Sequence, residues 1–396
     1  MEPKIRLKGF LGVWKEKPLL DVVTLYNGLT YTPNDIRDRG TLVLRSSNVQ
    51  EGEISLLDNV YVRSEVATSP NVEKGDIIVV VRNGSRALIG KHAQIKTDMP
   101  NTVIGAFMAG MHTDEPEFMN ALLGTSRFDY EVTINLGATI NQITNGTFRS
   151  MKFLFPDKKE QKALGAYFQH FDSLIQSTAK KIESIKQVKA ASLQSMFPQE
   201  GETTPRVRFK GFEEEWKKLK ADYIFKTFNE KNRPDLPVLS ATQDKGMITR
   251  ESIGYNIFHD KTNEATYKHI LPGQFVIHLR SFQGGFAHSE IEGIASPAYT
   301  IMEFKDKKLY HDYFWRYVFM SKEFIKRLEL ITYGIRDGRS INYDEFKEMV
   351  FLVPCKEEQV KISSYLRRID NLISLHNQRL EKLKQIKSAC LDQMFV

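Results

Sequence analysis

Two stretches of the chain place their seam residues at alternating steps of three and four. Phe168, Phe171, Ile175, Thr178, Ile182, Ile185, Lys189, Ser192 and Met196 follow this rule. So do Leu366, Ile369, Ile373, His376, Leu380, Leu383, Lys387, Cys390 and Met394. This is the a/d spacing of a coiled-coil seam, and no proline interrupts either stretch. Each predicts a helix of about forty residues, roughly 60 Å long. Such a helix is too long to bury in one small domain and suits pairing with another helix. Thr178 and His376, like Lys189 and Lys387, occupy matching polar seam positions, where they fix register. Elsewhere the apolar runs are short and β-branched. Residues 41–44, 76–81 and 274–277 predict strands between Gly and Asn punctuation, and the aromatic-rich stretch 310–330 predicts a helix. The fold class expected is α+β, with mixed α/β globules beside long helices.

The two helical stretches are copies. Residues 156–197 align without a gap to 354–395, with 16 of 42 positions identical. The identities include Glu160 with Glu358, Gln161 with Gln359, Asp172 with Asp370 and Phe197 with Phe395. A second repeat opens each half: residues 3–10, PKIRLKGF, return as 205–212, PRVRFKGF, and Trp14 is matched by Trp216. Residues 15–155 and 217–353 show no comparable similarity, so two similar frames carry two different inserts. The division expected is a globule over 1–155, a long helix over 156–197, a linker over 198–204, a second globule over 205–353 and a second helix over 354–396. A globule returns the chain between the helices, so antiparallel packing of the pair is the economical geometry.

Composition narrows the partners. The 396 residues carry a net charge of +7, which suits a polyanion. No run of eighteen apolar residues occurs, and Met1, Glu2, Pro3 and Lys4 do not open a signal peptide, so a cytoplasmic protein without a membrane is expected. Two cysteines, Cys355 and Cys390, are too few for a disulfide scaffold or a four-ligand zinc site, and reduced, buried thiols are expected.

Catalytic patterns fail on spacing. Gly84 and Gly90 before Lys91 are separated by five residues rather than four, and His92 stands where a phosphate-binding loop needs Ser or Thr. Asp157, Glu160 and Lys162 open a helix, where Pro156 and acidic residues are start signals rather than a convergent metal site. No Asn/Asp-Pro-Pro-aromatic motif of amino-methyltransferases, Gly-rich dinucleotide fingerprint, His-x-x-x-His pair or Gly-x-Ser-x-Gly is present.

The inserts offer polar and basic groups after strands. In the first these are Arg45, Ser46 and Asn48; Arg82, Asn83, Ser85 and Arg86; and Asn141 with Gln142. In the second they are Thr242, Gln243 and Lys245; Arg280, Ser281 and Gln283; and Arg336 with Arg339. Arg, Asn and Gln can grip base edges with two hydrogen bonds, while Ser, Thr and backbone amides near Gly reach phosphates. Any one group also reads as a solvated turn; their recurrence in both inserts is what points to DNA. The alternatives are a self-contained DNA methyltransferase or nuclease, and a coiled-coil scaffold that binds protein.

Over nearly its whole length the chain resembles the specificity subunits of type I restriction-modification systems. The resemblance lies in residues 8–10 with Trp14 and 210–212 with Trp216, in 74–77 and 272–275, in 279–285 with 296–299, and in the spacers opening at 155–161 and 353–359. Gln274 stands where the family often shows Asp. The resemblance implies two target recognition domains in a pseudo-two-fold repeat, each reading half of a bipartite site in double-stranded DNA. It further implies an antiparallel coiled coil that separates them and docks two modification (methyltransferase) subunits, with restriction/motor subunits joining. No catalytic residue, metal or cofactor is expected in this chain; S-adenosylmethionine, ATP and Mg are expected on the partners.

Overall fold

The computed structural model describes residues 2–136, 141–242, 245–253, 261–278, 285–329, 332–333 and 340–396. The chain forms two compact units: residues 1–180 with 376–396, and residues 181–375. Each contains one insert and a part of both long helices. The helices run Lys158–Ser195 and Lys356–Met394. Asp157 starts the first, its carboxylate accepting the Glu160 amide at 2.9 Å. The second starts after Cys355 with no such carboxylate, and Glu357 and Glu358 supply negative charge to its first turn.

The helices pack antiparallel, as the seam predicts. In the first unit Tyr167 Oη lies 3.7 Å from Cys390 Sγ, and Lys387 Nζ donates to Asp172 at 2.5 Å. In the second, Ser192 Oγ lies 3.3 Å from Tyr365 Oη, and Lys189 Nζ is 2.6 Å from Asp370. These are the same two contacts made by repeat-related residues. Within each pair of contacts one residue number rises as the other falls. The seam lysines are therefore register pins, each neutralised by the repeated aspartate of the facing helix.

The repeated opening motifs clasp the helix ends. The Ile5 amide donates to Gln393 O at 3.0 Å, and the Val207 amide to Ser195 O at 2.9 Å. Trp14 packs edge-on against Phe395, and Trp216 against Phe197. Arg6 forks onto Glu160, with Nε at 2.8 Å and Nη2 at 2.7 Å; Arg208 does the same to Glu358 at 2.7 and 2.8 Å. The sequence identity between the halves is thus concentrated in the coil and its clasps.

Each insert is built on an antiparallel sheet of four strands. In the first unit the order is Thr24–Asn27, Met108–His112, Ile77–Val80, His92–Gln94; in the second it is Phe225–Phe228, Thr300–Phe304, Phe275–Ile277, Phe286–His288. The first unit adds a second sheet in which Thr102–Ile104 runs parallel to Thr41–Leu44. The core strands carry apolar residues on both faces, since Ile77, Ile78, Val79 and Val80 are all buried between these sheets and the helices. The second unit's core is aromatic, with Phe225, Phe275, Phe286, Phe314, Trp315 and Phe319 in contact.

Two expectations are corrected. The helix predicted over 310–330 is two helices, Asp312–Met320 and Lys322–Glu329. Ser321 turns extended between them, and its hydroxyl accepts the Phe324 amide at 3.2 Å, capping the second. The thiols are not both buried: Cys355 is exposed ahead of its helix, and Cys390 is half-buried against Tyr167. No helix among the described residues is long and apolar enough to cross a membrane.

Candidate nucleic-acid interface

The strand Ile77–Val80 lies at the middle of the first unit's sheet and delivers Arg82 at its far end. Its near end is fixed by Asp76, which is buried. That carboxylate accepts from Tyr26 Oη at 2.7 Å, from the Glu73 amide at 2.9 Å and from His112 Nδ1 at 3.0 Å. Gly110 makes room for this: a Cβ there would meet the Tyr26 ring at 2.0 Å. Burial and the hydrogen bond to Asp76 raise the Tyr26 pKa well above that of an ordinary phenol. The separate hydrogen bond between His112 and the same carboxylate raises the His112 pKa. In the second unit Gln274 takes the place of Asp76, its Oε1 accepting the Leu271 amide at 2.8 Å and its Nε2 donating to Glu303 at 3.2 Å. The backbone-capping contact survives the exchange of Asp for Gln because either side chain offers an acceptor oxygen at that position.

Three groups named from the first insert meet beyond the strand end. Asn83 Nδ2 donates to Ser46 Oγ at 3.1 Å, joining the loop after Thr41–Leu44 to the loop after Ile77–Val80. Arg82 and Gln142 form an antiparallel bridge, and the Asn83 amide donates to Asn141 O. Arg86 Nε donates to Asn141 Oδ1 at 3.1 Å, and Asn141 Nδ2 to Gly84 O at 3.2 Å. Residues 45–46, 82–86 and 141–142 therefore form one surface, although they are distant in sequence.

Their roles differ. Asn48 is a correction: it is fully buried, its Oδ1 accepts the Arg45 amide, and its Nδ2 donates to Ser55 O and Asp58 O, so it shapes the loop and presents nothing to a groove. Asn83 also accepts the Ser85 amide at 3.0 Å, and with Asn141 it holds the loops in place. Arg45 is paired with Asp58 at 2.7 Å. Arg82 is exposed, and among the described residues its guanidinium makes no hydrogen bond or ion pair; it lies 5.2 Å from the centre of the Phe107 ring. Gln142, half-buried, likewise has no side-chain hydrogen bond among the described residues. Arg82 and Gln142 are the cross-strand pair with free donors.

In the second unit the Thr242 hydroxyl donates to Gly246 O at 2.7 Å and accepts the Lys245 amide at 3.2 Å, and Lys245 is exposed. Gln243, Arg280, Ser281, Gln283, Arg336 and Arg339 lie outside the described residues.

Two features of the first surface carry no signal in the sequence. Asn27, at the end of its strand, accepts from Asn145 Nδ2 at 3.4 Å. Phe107 is half exposed although it sits in an apolar run that reads as core. Only the turn geometry that aims it outward distinguishes it.

A family model described as the type I restriction modification DNA specificity domain matches residues 12–187 and again 213–385. The chain belongs to this family. The specificity subunit of the type I restriction enzyme StySPI of Salmonella potsdam is 25% identical over 184 residues, covering 44% of this chain and 40% of that subunit. The EcoKI specificity subunit of Escherichia coli K12 is also 25% identical over 184 residues, 44% of this chain and 39% of that subunit. The match thus spans about two-fifths of the length of these relatives. A crystal structure of the type I restriction-modification S subunit from M. genitalium superposes with a TM-score of 0.62 at 15% identity, covering 100% of this chain and 99% of that one, and shares the fold. Each matched segment spans one insert and most of the long helix that follows it.

Proposed function

We propose that this chain is the DNA-reading subunit of a type I restriction-modification complex and carries out no chemistry of its own. Residues 1–155 and 205–353 serve as target recognition domains, each for one half of a bipartite site in duplex DNA. The helices 156–197 and 354–396, joined through 198–204, dock the modification subunits, two in number, and restriction subunits join that assembly in the cytoplasm. S-adenosylmethionine, ATP and Mg belong to those partners. The observation that carries the reading is the convergence of Arg45, Ser46, Arg82, Asn83, Ser85, Arg86, Asn141 and Gln142 on one surface. Arg280, Ser281, Gln283, Arg336, Arg339, Gln243, Thr242 and Lys245 are the corresponding contacts for the second half-site.

Binding of the full chain to duplex DNA at graded salt tests this, since neutralising phosphates demands a steep loss of affinity with salt. Exchanging residues 15–155 for another insert should change one half-site in the host methylation map and leave the other intact. A chimera that assembles and changes both halves contradicts the modular reading. Salt-independent binding favours the protein scaffold, and methyl transfer from S-adenosylmethionine by the chain alone favours the self-contained enzyme.

A further inference from the structure

Resting on the DNA-reading function proposed above, we infer that Phe107 is a specificity-determining residue that reads the 5-methyl group of a thymine in the half-site bound by the first unit. Phe107 is 51% exposed, the only phenylalanine among the exposed large apolar side chains of the described residues, and it sits on the surface where Arg45, Arg82 and Gln142 meet. It is held firmly. Its carbonyl accepts the amides of Val81 and Arg82 at 2.9 and 3.2 Å, and the Met108 amide closes a turn onto Gly105 O at 2.9 Å. The Arg82 guanidinium covers part of the ring. About half of the ring therefore stays covered, which leaves it an edge to offer and too little reach to wedge between base pairs. An apolar edge beside free Arg and Gln donors matches the major groove, where the thymine methyl is the one apolar mark among hydrogen-bonding groups.

The second unit makes the same turn with a different residue. Its Tyr299 amide bonds back to Ser296 O at 3.1 Å, and strand register places Met302 opposite Phe275 as Met111 lies opposite Ile77. Phe107 is thereby equivalent to Ala298, which is exposed. A ring in one reading domain and a methyl in the other, on a shared turn, is the kind of difference that lets two similar frames read different bases.

The test uses the full chain assembled with its modification subunits, on the duplex defined by the host methylation map. Each thymine of both half-sites is replaced singly by uracil, which lacks only the methyl. For the unaltered chain one substitution in the first half-site should weaken binding about fourfold, the worth of one buried methyl. In Phe107→Ala that sensitivity should vanish, in Phe107→Leu it should largely persist, and sensitivities in the second half-site should not move. Uracil tolerated at every thymine of the first half-site, or equal sensitivity in Phe107→Ala, overturns the assignment. An unaltered chain that does not prefer its mapped duplex to a scrambled one overturns the DNA-reading function itself. Melting of Phe107→Ala at the unaltered temperature excludes misfolding as the cause of a loss.

Discussion

Removing Arg6 should cripple the first unit, and the structure sets the size of the effect. The Glu160 side chain is 1% exposed, and the Arg6 side chain covering it is 15% exposed. The fork supplies two hydrogen bonds to the carboxylate, and the same guanidinium also donates to Gly12 O at 2.5 Å. Pairing with Glu160 raises the Arg6 pKa, so the guanidinium keeps its charge at every working pH. Arg6→Ala leaves a buried carboxylate without its partner, a loss of about 3–5 kcal/mol where a buried pair is broken. In a unit of this size each kcal/mol lowers the melting midpoint by about 2–4 °C, so the shift should be roughly 6–20 °C. Replacing both partners with apolar residues should cost far less, because neither charge then needs desolvating. Scanning calorimetry of the full chain measures all of this, and Arg208→Ala should produce the matching loss through Glu358 in the second unit. An Arg6→Ala shift below about 2 °C, or single losses that simply add in the double variant, would refute the reasoning.

Three further outcomes follow from particular contacts. Lys387→Met should cost about 1–2 kcal/mol in urea unfolding, because Asp172 is mostly buried beneath it, and the swap Asp172→Lys with Lys387→Asp should recover most of that; no recovery would mean the pair does not pin the coil. His112 has a raised pKa through Asp76, so its contribution is fully present at acid pH, below its ordinary value, and is lost as pH rises through the raised value. With its side chain 56% exposed and Glu73 also 4.0 Å away, the effect should be roughly 0.5 kcal/mol or less, and His112→Gln should flatten that part of the stability profile; an unchanged profile rejects the assignment. Arg82→Ala should weaken binding to the mapped duplex by about 1–3 kcal/mol, while Arg45→Ala, already committed to Asp58, should lose less; titration by fluorescence anisotropy decides, and the reverse order would move the reading role to Arg45.

The sequence by itself determined the frame. The three-four spacing of Phe168 to Met196 and of Leu366 to Met394 is a local property of helical geometry, and its repetition in the two halves carries the pseudo-symmetry of the coil. Antiparallel packing followed from chain connectivity alone. Capping by Asp157 was legible for the same reason, since helix starts are written within a few residues. The break at Ser321 was not, because the aromatic residues on both sides belong to one continuous core and so keep an uninterrupted apolar pattern.

The candidate interface was legible in its parts but not in its division of labour. Composition named Arg45, Arg82, Asn141 and their neighbours, yet Asn48 and Phe107 exchanged the places their chemistry suggests: the polar residue is buried and the aromatic half exposed. Only tertiary structure decides such cases. A buried Asn is tolerated because Ser55, Asp58 and Arg45 satisfy its hydrogen bonds, and an exposed Phe is aimed outward by a turn held from a neighbouring strand. Both depend on partners remote in the chain, and side-chain type alone carries no record of them.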